Sequence, residues 1–210
     1  MTRQLLLLAL ACLATTASAQ DQTQHRPTSA ELSRDETPAK AILRTLEFQE
    51  YGVRSAAEAM PEDKWDFRPA SGMFKSEKPE FGPGEVRTFR EQVKHVACAN
   101  FAFAAELDGA TPPAGCDKDG PSPAHTRAEL LTYLRDSYAA LDKSINAMTV
   151  KNMYDPMSGP YATPNTRLGL AGICIWHNAD HYGQMVLYLR LNGIVPPSSR
   201  NPPPKLQEKY

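Results

Sequence analysis

The chain has 210 residues, enough for one domain with a substantial core, and its 23 basic and 24 acidic side chains leave a formal net charge of -1. With no Lys/Arg stripe and no aromatics alternating with basic residues, it lacks the electrostatic footprint of a nucleic-acid binder, and no glycine-rich phosphate loop is present. Beyond the first twenty residues no apolar run approaches the ~20 residues of a membrane span.

The chain opens "MTRQLLLLALACLATTASAQ". Arg3 gives a positive start, Leu5 to Leu13 form a short apolar run, and Ala17-Ser18-Ala19 is a small-x-small cleavage site. Residues 1–19 therefore read as an export signal, which places the mature protein in the periplasm or outside the cell. Residues 20–35 are polar and are expected to be disordered. The first helix is expected from Pro38 to Met60, capped by Thr37 and stopped by Pro61, with Ile42, Leu46, Val53, Ala57 and Met60 as its apolar stripe. The second opens with "TFRE", Thr88 to Glu91, a capping-box pattern, and ends near Gly109. "TRAE", Thr126 to Glu129, opens the third, where Leu130, Leu134, Leu141, Ile145 and Met148 recur at helical spacing. The fourth is expected from about Asn165 to Asn192, with Gly193 as its stop. No segment shows a convincing strand alternation. The fold class is all-α, a four-helix bundle over residues 36–199, followed by a Pro-rich tail over 200–210. The connections are long and rich in Pro and Gly, so they do not force the simplest up-down-up-down order.

Five histidines are present. His177 and His181, four apart on the fourth helix, share one face and can converge on one metal ion. Asn178 stands where an H-E-x-x-H motif would carry its glutamate base, so the pair alone is a weak signal. His25 falls in the polar segment and His125 beside the third helix's cap. His95, near the small residues Ala99 and Ala102, reads either as a core-edge histidine or as a third ligand. Three histidines on two helices would leave coordination positions open for water or substrate.

"AAEAMPEDKWDFRP", "TFREQVKHVACAN" and "WHNADHYGQMVLYLRLNGIVPPSS" resemble, in order, three signature stretches of the DinB-like metalloprotein superfamily. On that resemblance His95, His177 and His181 match the family's metal triad. The resemblance also implies a four-helix bundle in up-down-down-up order and, often, a homodimer. For chemistry it implies either metal-assisted transfer of a low-molecular-weight thiol or hydrolysis through metal-activated water. Export disfavours the first, because such thiols are mainly cytosolic. The expectation is a metal-dependent hydrolase acting on a small molecule; a non-enzymatic metal-binding or interaction bundle is the other reading. Zinc is the first choice of divalent metal, with nickel, iron and manganese served by the same ligands.

Helical phase sorts the neighbours. Gln184 lies about 20° from His177 on the fourth helix, with Asp180 flanking, while Glu91, Gln92 and Cys98 lie within about 60° of His95. Asp180 and Gln184 are candidates to orient an imidazole or bind substrate, and Asp180 and Glu91 are the carboxylates nearest in phase for a general base. Gln49 or Glu50 could face the metal from the first helix. Gly183 is expected to mark a close helix approach, and Trp65 and Phe67 to plug the bundle end. Removal of Cys12 with the signal leaves three cysteines, Cys98, Cys116 and Cys174. If the second and fourth helices run antiparallel, Cys98 and Cys174 fall at one level; the expectation is that they are close and able to bond, with Cys116 left over in a loop.

Overall fold

The structure is a computed structural model that describes residues 30, 36–69, 86–115, 124–162 and 165–201. The segment expected to be an export signal, the polar segment apart from Ala30, Cys116 and the tail beyond residue 201 lie outside the described residues. The bundle occupies the unit that begins at Glu36.

Its four helices are α1 (Pro38–Ala59), α2 (Phe89–Asp108), α3 (Arg127–Asn146) and α4 (Arg167–Leu191). Local chemistry sets their ends. Thr37 Oγ1 accepts from Lys40 N at 3.1 Å, with Pro38 in the first turn where its missing N–H costs nothing. Both expected capping boxes form: Thr88 and Glu91 satisfy each other's backbone N–H at 3.2 and 2.6 Å, and Thr126 and Glu129 do so at 3.2 and 2.9 Å. Gly109 (φ 65°) and Gly193 (φ 72°) end α2 and α4 in the left-handed region. Each closes a Schellman motif, with Ala110 N donating to Ala105 O and Ile194 N to Leu189 O.

The expected start of α4 at Asn165 is two residues early. Asn165–Thr166 forms a short strand, β2, antiparallel to Pro156–Met157, β1. Strands of two residues leave no alternation to read. Asn165 instead folds its side chain over Gly169, where a Cβ would come within 1.8 Å of its Oδ1, and Thr166 caps the helix through Gly169 N.

Contacts along the helices fix their directions. Asn100 meets Ser137 and Asp108 meets Ser144, so α2 and α3 run parallel. Gln92 meets Gln184, Asn100 meets Asn178, and Leu107 O accepts from Arg167, so α2 and α4 run antiparallel. Glu58 O accepts from Arg127 at the start of α3, and the Glu50 carboxylate, two turns earlier on α1, acts on Tyr138, so α1 and α3 are antiparallel. Gly52 packs on Tyr182, and Lys64, just past α1, reaches Asn192, so α1 and α4 are parallel. The order is up-down-down-up, with α1 and α2 each packed on both α3 and α4.

Leu46, Val53, Ala57 and Met60 are fully buried, as are Leu134 and Leu141. Trp65 closes one end: it is fully buried, donates Nε1–H to Met60 O at 3.0 Å, packs edge-on against Phe89, and lies between the guanidiniums of Arg90 and Arg127. Phe67 packs edge-on against Tyr188 beside it.

Two expectations fail here. The close helix approach is at Gly52, where a Cβ would sit 3.1 Å from the Tyr182 ring; Gly183 is exposed with open space around it. Cys98 is disulfide-bonded, but Cys174 is free and buried, so the bond is not between them. The antiparallel pairing behind that expectation is present. What it lacked was azimuth: Cys98 Sγ lies 3.9 Å from Tyr133 Oη on α3, whereas Cys174 Sγ turns back to Leu170 O at 3.1 Å.

Candidate metal centre

The antiparallel crossing of α2 and α4 brings His95 against the His177–His181 pair. His95 Nε2 and His177 Nε2 are 3.1 Å apart, and one ring nitrogen from each of the three histidines lies within 4.8 Å of the others. The ring centroids are separated by 5.1, 4.5 and 4.4 Å, with no two rings coplanar. His181 is buried at 6% exposure, and His95 and His177 are half-buried. Phe103, one helical turn from Ala99 on α2, places its edge on His177 at 5.4 Å, and Tyr161 packs on Phe103 in turn.

The donor set fits a divalent metal. Bonds of about 2.0–2.1 Å from one ion to nitrogens 3.1 Å apart subtend about 100°, an ordinary angle for tetrahedral or octahedral coordination. Three neutral imidazoles suit zinc and the later first-row metals and leave open positions. Among the described residues this is the one group of three or more His, Cys, Asp or Glu side chains whose ligand atoms converge in this way.

His181 is held from behind. Its Nδ1 lies 3.0 Å from Oε1 of Gln92, a nearly fully buried side chain on α2. Gln92 Nε2 donates to Gln184 Oε1 at 2.6 Å, and Gln184 Nε2 donates to Asp180 Oδ2 at 2.9 Å. Asp180 is exposed, so a line of hydrogen bonds runs from the triad to the surface. Gln184 and Asp180 thus sit where helical phase expected them, joined to His181 through Gln92. Glu91 is exposed, with Oε2 engaged by Thr88 N and by Arg68 at 3.4 Å, and it serves as the cap of α2. Glu50 does not turn to the histidines. It is buried in an ion pair with Arg54 at 2.8 Å, one turn on along α1.

The direct role of Gln92 was not singled out from the sequence, although it lies one turn before His95 on the same face. In sequence Asn178 is marked only as the residue standing where a base would be, and the network around it carries no sequence signal. Tyr138 Oη donates to Asn178 Oδ1 at 2.6 Å, Asn178 Nδ2 donates to Asn100 Oδ1 at 2.9 Å, and Asn100 Nδ2 donates to Ser137 Oγ at 3.3 Å. Burial pushes the Tyr138 phenol well above its ordinary range, with the nearby Glu50 carboxylate adding to the shift, so it acts as a neutral donor. These residues sit in helices that read as apolar, and nothing in their spacing marks them.

Beyond Phe103, a cleft of about 290 Å³ opens among Ala102, Glu106, Gly109, Pro112, Gly159 and Tyr161. Glu106 shapes it by accepting from Tyr161 N and Ala162 N at 3.2 and 2.8 Å, and a side chain at Gly159 would collide with that carboxylate.

A four-helix bundle with three histidines converging across two antiparallel helices defines a class of metal-site bundle. The chain belongs to the DinB superfamily, whose family model matches residues 45–185. A DinB-like protein from Bacillus cereus ATCC 10987, known from a crystal structure, has a similar fold: the TM-score is 0.58 at 16% identity, covering 75% of this chain and 95% of that one. No curated protein matches the chain.

Proposed function

We propose that the mature protein is an exported, metal-dependent hydrolase that holds one divalent ion, zinc in the first instance, on His95, His177 and His181. The observation that carries this reading is the convergence of three imidazoles with the 3.1 Å nitrogen separation that one ion spans. When bound, such an ion acts as a Lewis acid and lowers the pKa of water into the neutral range. The chain's own residues do the rest. Gln92 orients His181, and Phe103 walls off His177.

Elemental analysis of the mature protein refolded with zinc tests the metal. About one ion per chain is expected, and none in an H95A/H177A double variant. Absence of stoichiometric metal from the wild type overturns the reading. Ester and amide panels then separate the hydrolase from a non-enzymatic metal bundle, and added low-molecular-weight thiols separate it from a transferase. Cell fractionation with amino-terminal sequencing checks export, with Gln20 expected as the first mature residue.

The outer face of α4 supports a homodimer. Trp176, Leu187 and Leu191 are 66, 54 and 44% exposed, and Gly172, Ala179 and Gly183 lie exposed between them. Large apolar side chains exposed on one helix face mark an interaction surface. The face is self-complementary. Two antiparallel copies related by a two-fold axis between Ala179 and Asp180 would set Trp176 over the partner's Gly183 and Leu187 over the partner's Gly172, and both glycines have open space around them. Asp180 lies beside that axis with its carboxylate accepting from Gln184 Nε2.

A further inference from the structure

We infer that the exposed carboxylate of Asp180 and the phenol of Tyr188 together fix the tautomer of His181, forcing its proton onto Nδ1 and its lone pair onto Nε2. The calculation is one of donors and acceptors. An ionised carboxylate only accepts, so Gln184 must turn its NH₂ group to Asp180, as it does at 2.9 Å. Its carbonyl oxygen then faces Gln92, which must answer with its own NH₂, as it does at 2.6 Å. That leaves Gln92 Oε1 facing His181 Nδ1 at 3.0 Å, and an oxygen there requires the proton on Nδ1. Amide orientation is often arbitrary, but here turning Gln184 alone would set its oxygen against the Asp180 carboxylate, and turning Gln92 alone would set its oxygen against Gln184 Oε1, acceptor against acceptor in both cases.

Tyr188 supports the same direction from the other side of Gln92. Its hydroxyl proton is committed to Arg87 O at 2.5 Å, so toward the Gln92 amide it presents an acceptor. Gln92 is thereby steered from two sides. Asp180 touches no ring nitrogen of the triad in this line; it is a positioning residue that acts through two amides. The tautomer is a property of the chain itself. Only its consequence, that Nε2 is the nitrogen offered to an ion, rests on the proposed metal site.

The test reads the tautomer directly, by long-range proton–nitrogen correlation spectra of the metal-free mature protein, and zinc affinity separately, by chelator competition. Wild type is expected to show His181 protonated at Nδ1 alone. D180K replaces a pure acceptor by a pure donor, and Y188F removes the second constraint. In the D180K/Y188F variant the proton is expected to redistribute toward Nε2, and zinc to bind about 10- to 100-fold more weakly, the usual cost of losing a ligand's supporting hydrogen bonds. A179K/Y188F places the same charge on the exposed neighbouring residue, outside the line, and is expected to keep the wild-type tautomer. A Q184L/Y188F variant breaks the line without adding charge and should lose the preference in the same way. If D180K/Y188F keeps the proton on Nδ1, or Q184L/Y188F leaves the tautomer unchanged, the inference is wrong. A tautomer that responds as expected in a protein that binds no zinc would sustain the inference and overturn the metal reading instead.

Discussion

His177 and Asn178 are adjacent on α4, yet they belong to polar clusters of different kinds. Around Asn178 each donor finds an acceptor of the fold itself: Tyr138 to Asn178, Asn178 to Asn100 and to Cys174 O, Asn100 to Ser137, Ser137 to Leu134 O. Such a network needs nothing from outside, and its cost of burial is offset by its own hydrogen bonds. Around His177 the ring nitrogens are aimed at one another. Two Nε2 atoms at 3.1 Å share at most one proton between them, and an ion replaces that proton with a bond to each. Both clusters are polar and lie between helices, the Asn178 network fully buried and His95 and His177 half-buried. What separates a structural cluster from a ligand site is whether donors and acceptors balance inside it.

The largest expected effect tests that contrast. H177A or H181A should remove stoichiometric metal altogether, while circular dichroism and the melting temperature of the metal-free protein stay near wild type. N178L should do the reverse. It leaves the Tyr138 hydroxyl and the Asn100 carbonyl buried without their partner, at a cost of about 2–4 kcal/mol in denaturant unfolding, with metal still bound. If H177A costs the metal-free protein as much stability as N178L does, the triad is part of the structural core and the contrast collapses.

Next in size is the difference between the outer faces of the diagonal helices α3 and α4. Exposed positions on α3 include Glu129, Asp136 and Lys143, as a face against water should. On α4 the exposed positions include Trp176, Leu187 and Leu191. W176D is expected to convert a dimer to a monomer in sedimentation or light scattering, leaving metal content unchanged. A wild-type protein that sediments as a monomer at micromolar concentration would remove the dimer reading.

The smallest effect concerns the two described cysteines. Burial pushes the Cys174 thiol far above its ordinary pKa, and the Glu106 carboxylate adds to the shift. In the native protein at pH 8, iodoacetamide should leave Cys174 unmodified, and labelling should appear once the chain is unfolded without reductant. Cys98 should be labelled only after reduction. Rapid native labelling of Cys174 would show that the seam between α2 and α4 opens far more readily than the packing around it allows.

Much of this architecture is local chemistry and is legible in the chain. Thr88 with Glu91 and Thr126 with Glu129 mark helix starts because a capping box is satisfied within four residues. Gly109 and Gly193 mark ends because their backbone conformation strains other residues. The H-x-x-x-H spacing puts two imidazoles on one face in any α-helix. His95 could be joined to them only through family resemblance, because its partners lie more than eighty residues away in sequence. The same limit explains the errors. Gly183 and Gly52 cost a helix the same, and only packing shows which one a tyrosine ring needs. Cys98 and Cys174 share a level, but the rotation of each helix about its own axis, set by the whole core, decides that one faces Tyr133 and the other its own helix backbone. Gln92 takes its role from Gln184, His181 and Tyr188, all on another helix. The sequence determined four helices, the N-terminal caps of three of them and a histidine pair, since those rest on contacts a few residues apart. The tertiary structure alone decided which way each side chain around the triad donates its hydrogen bonds, because that balance is struck between helices.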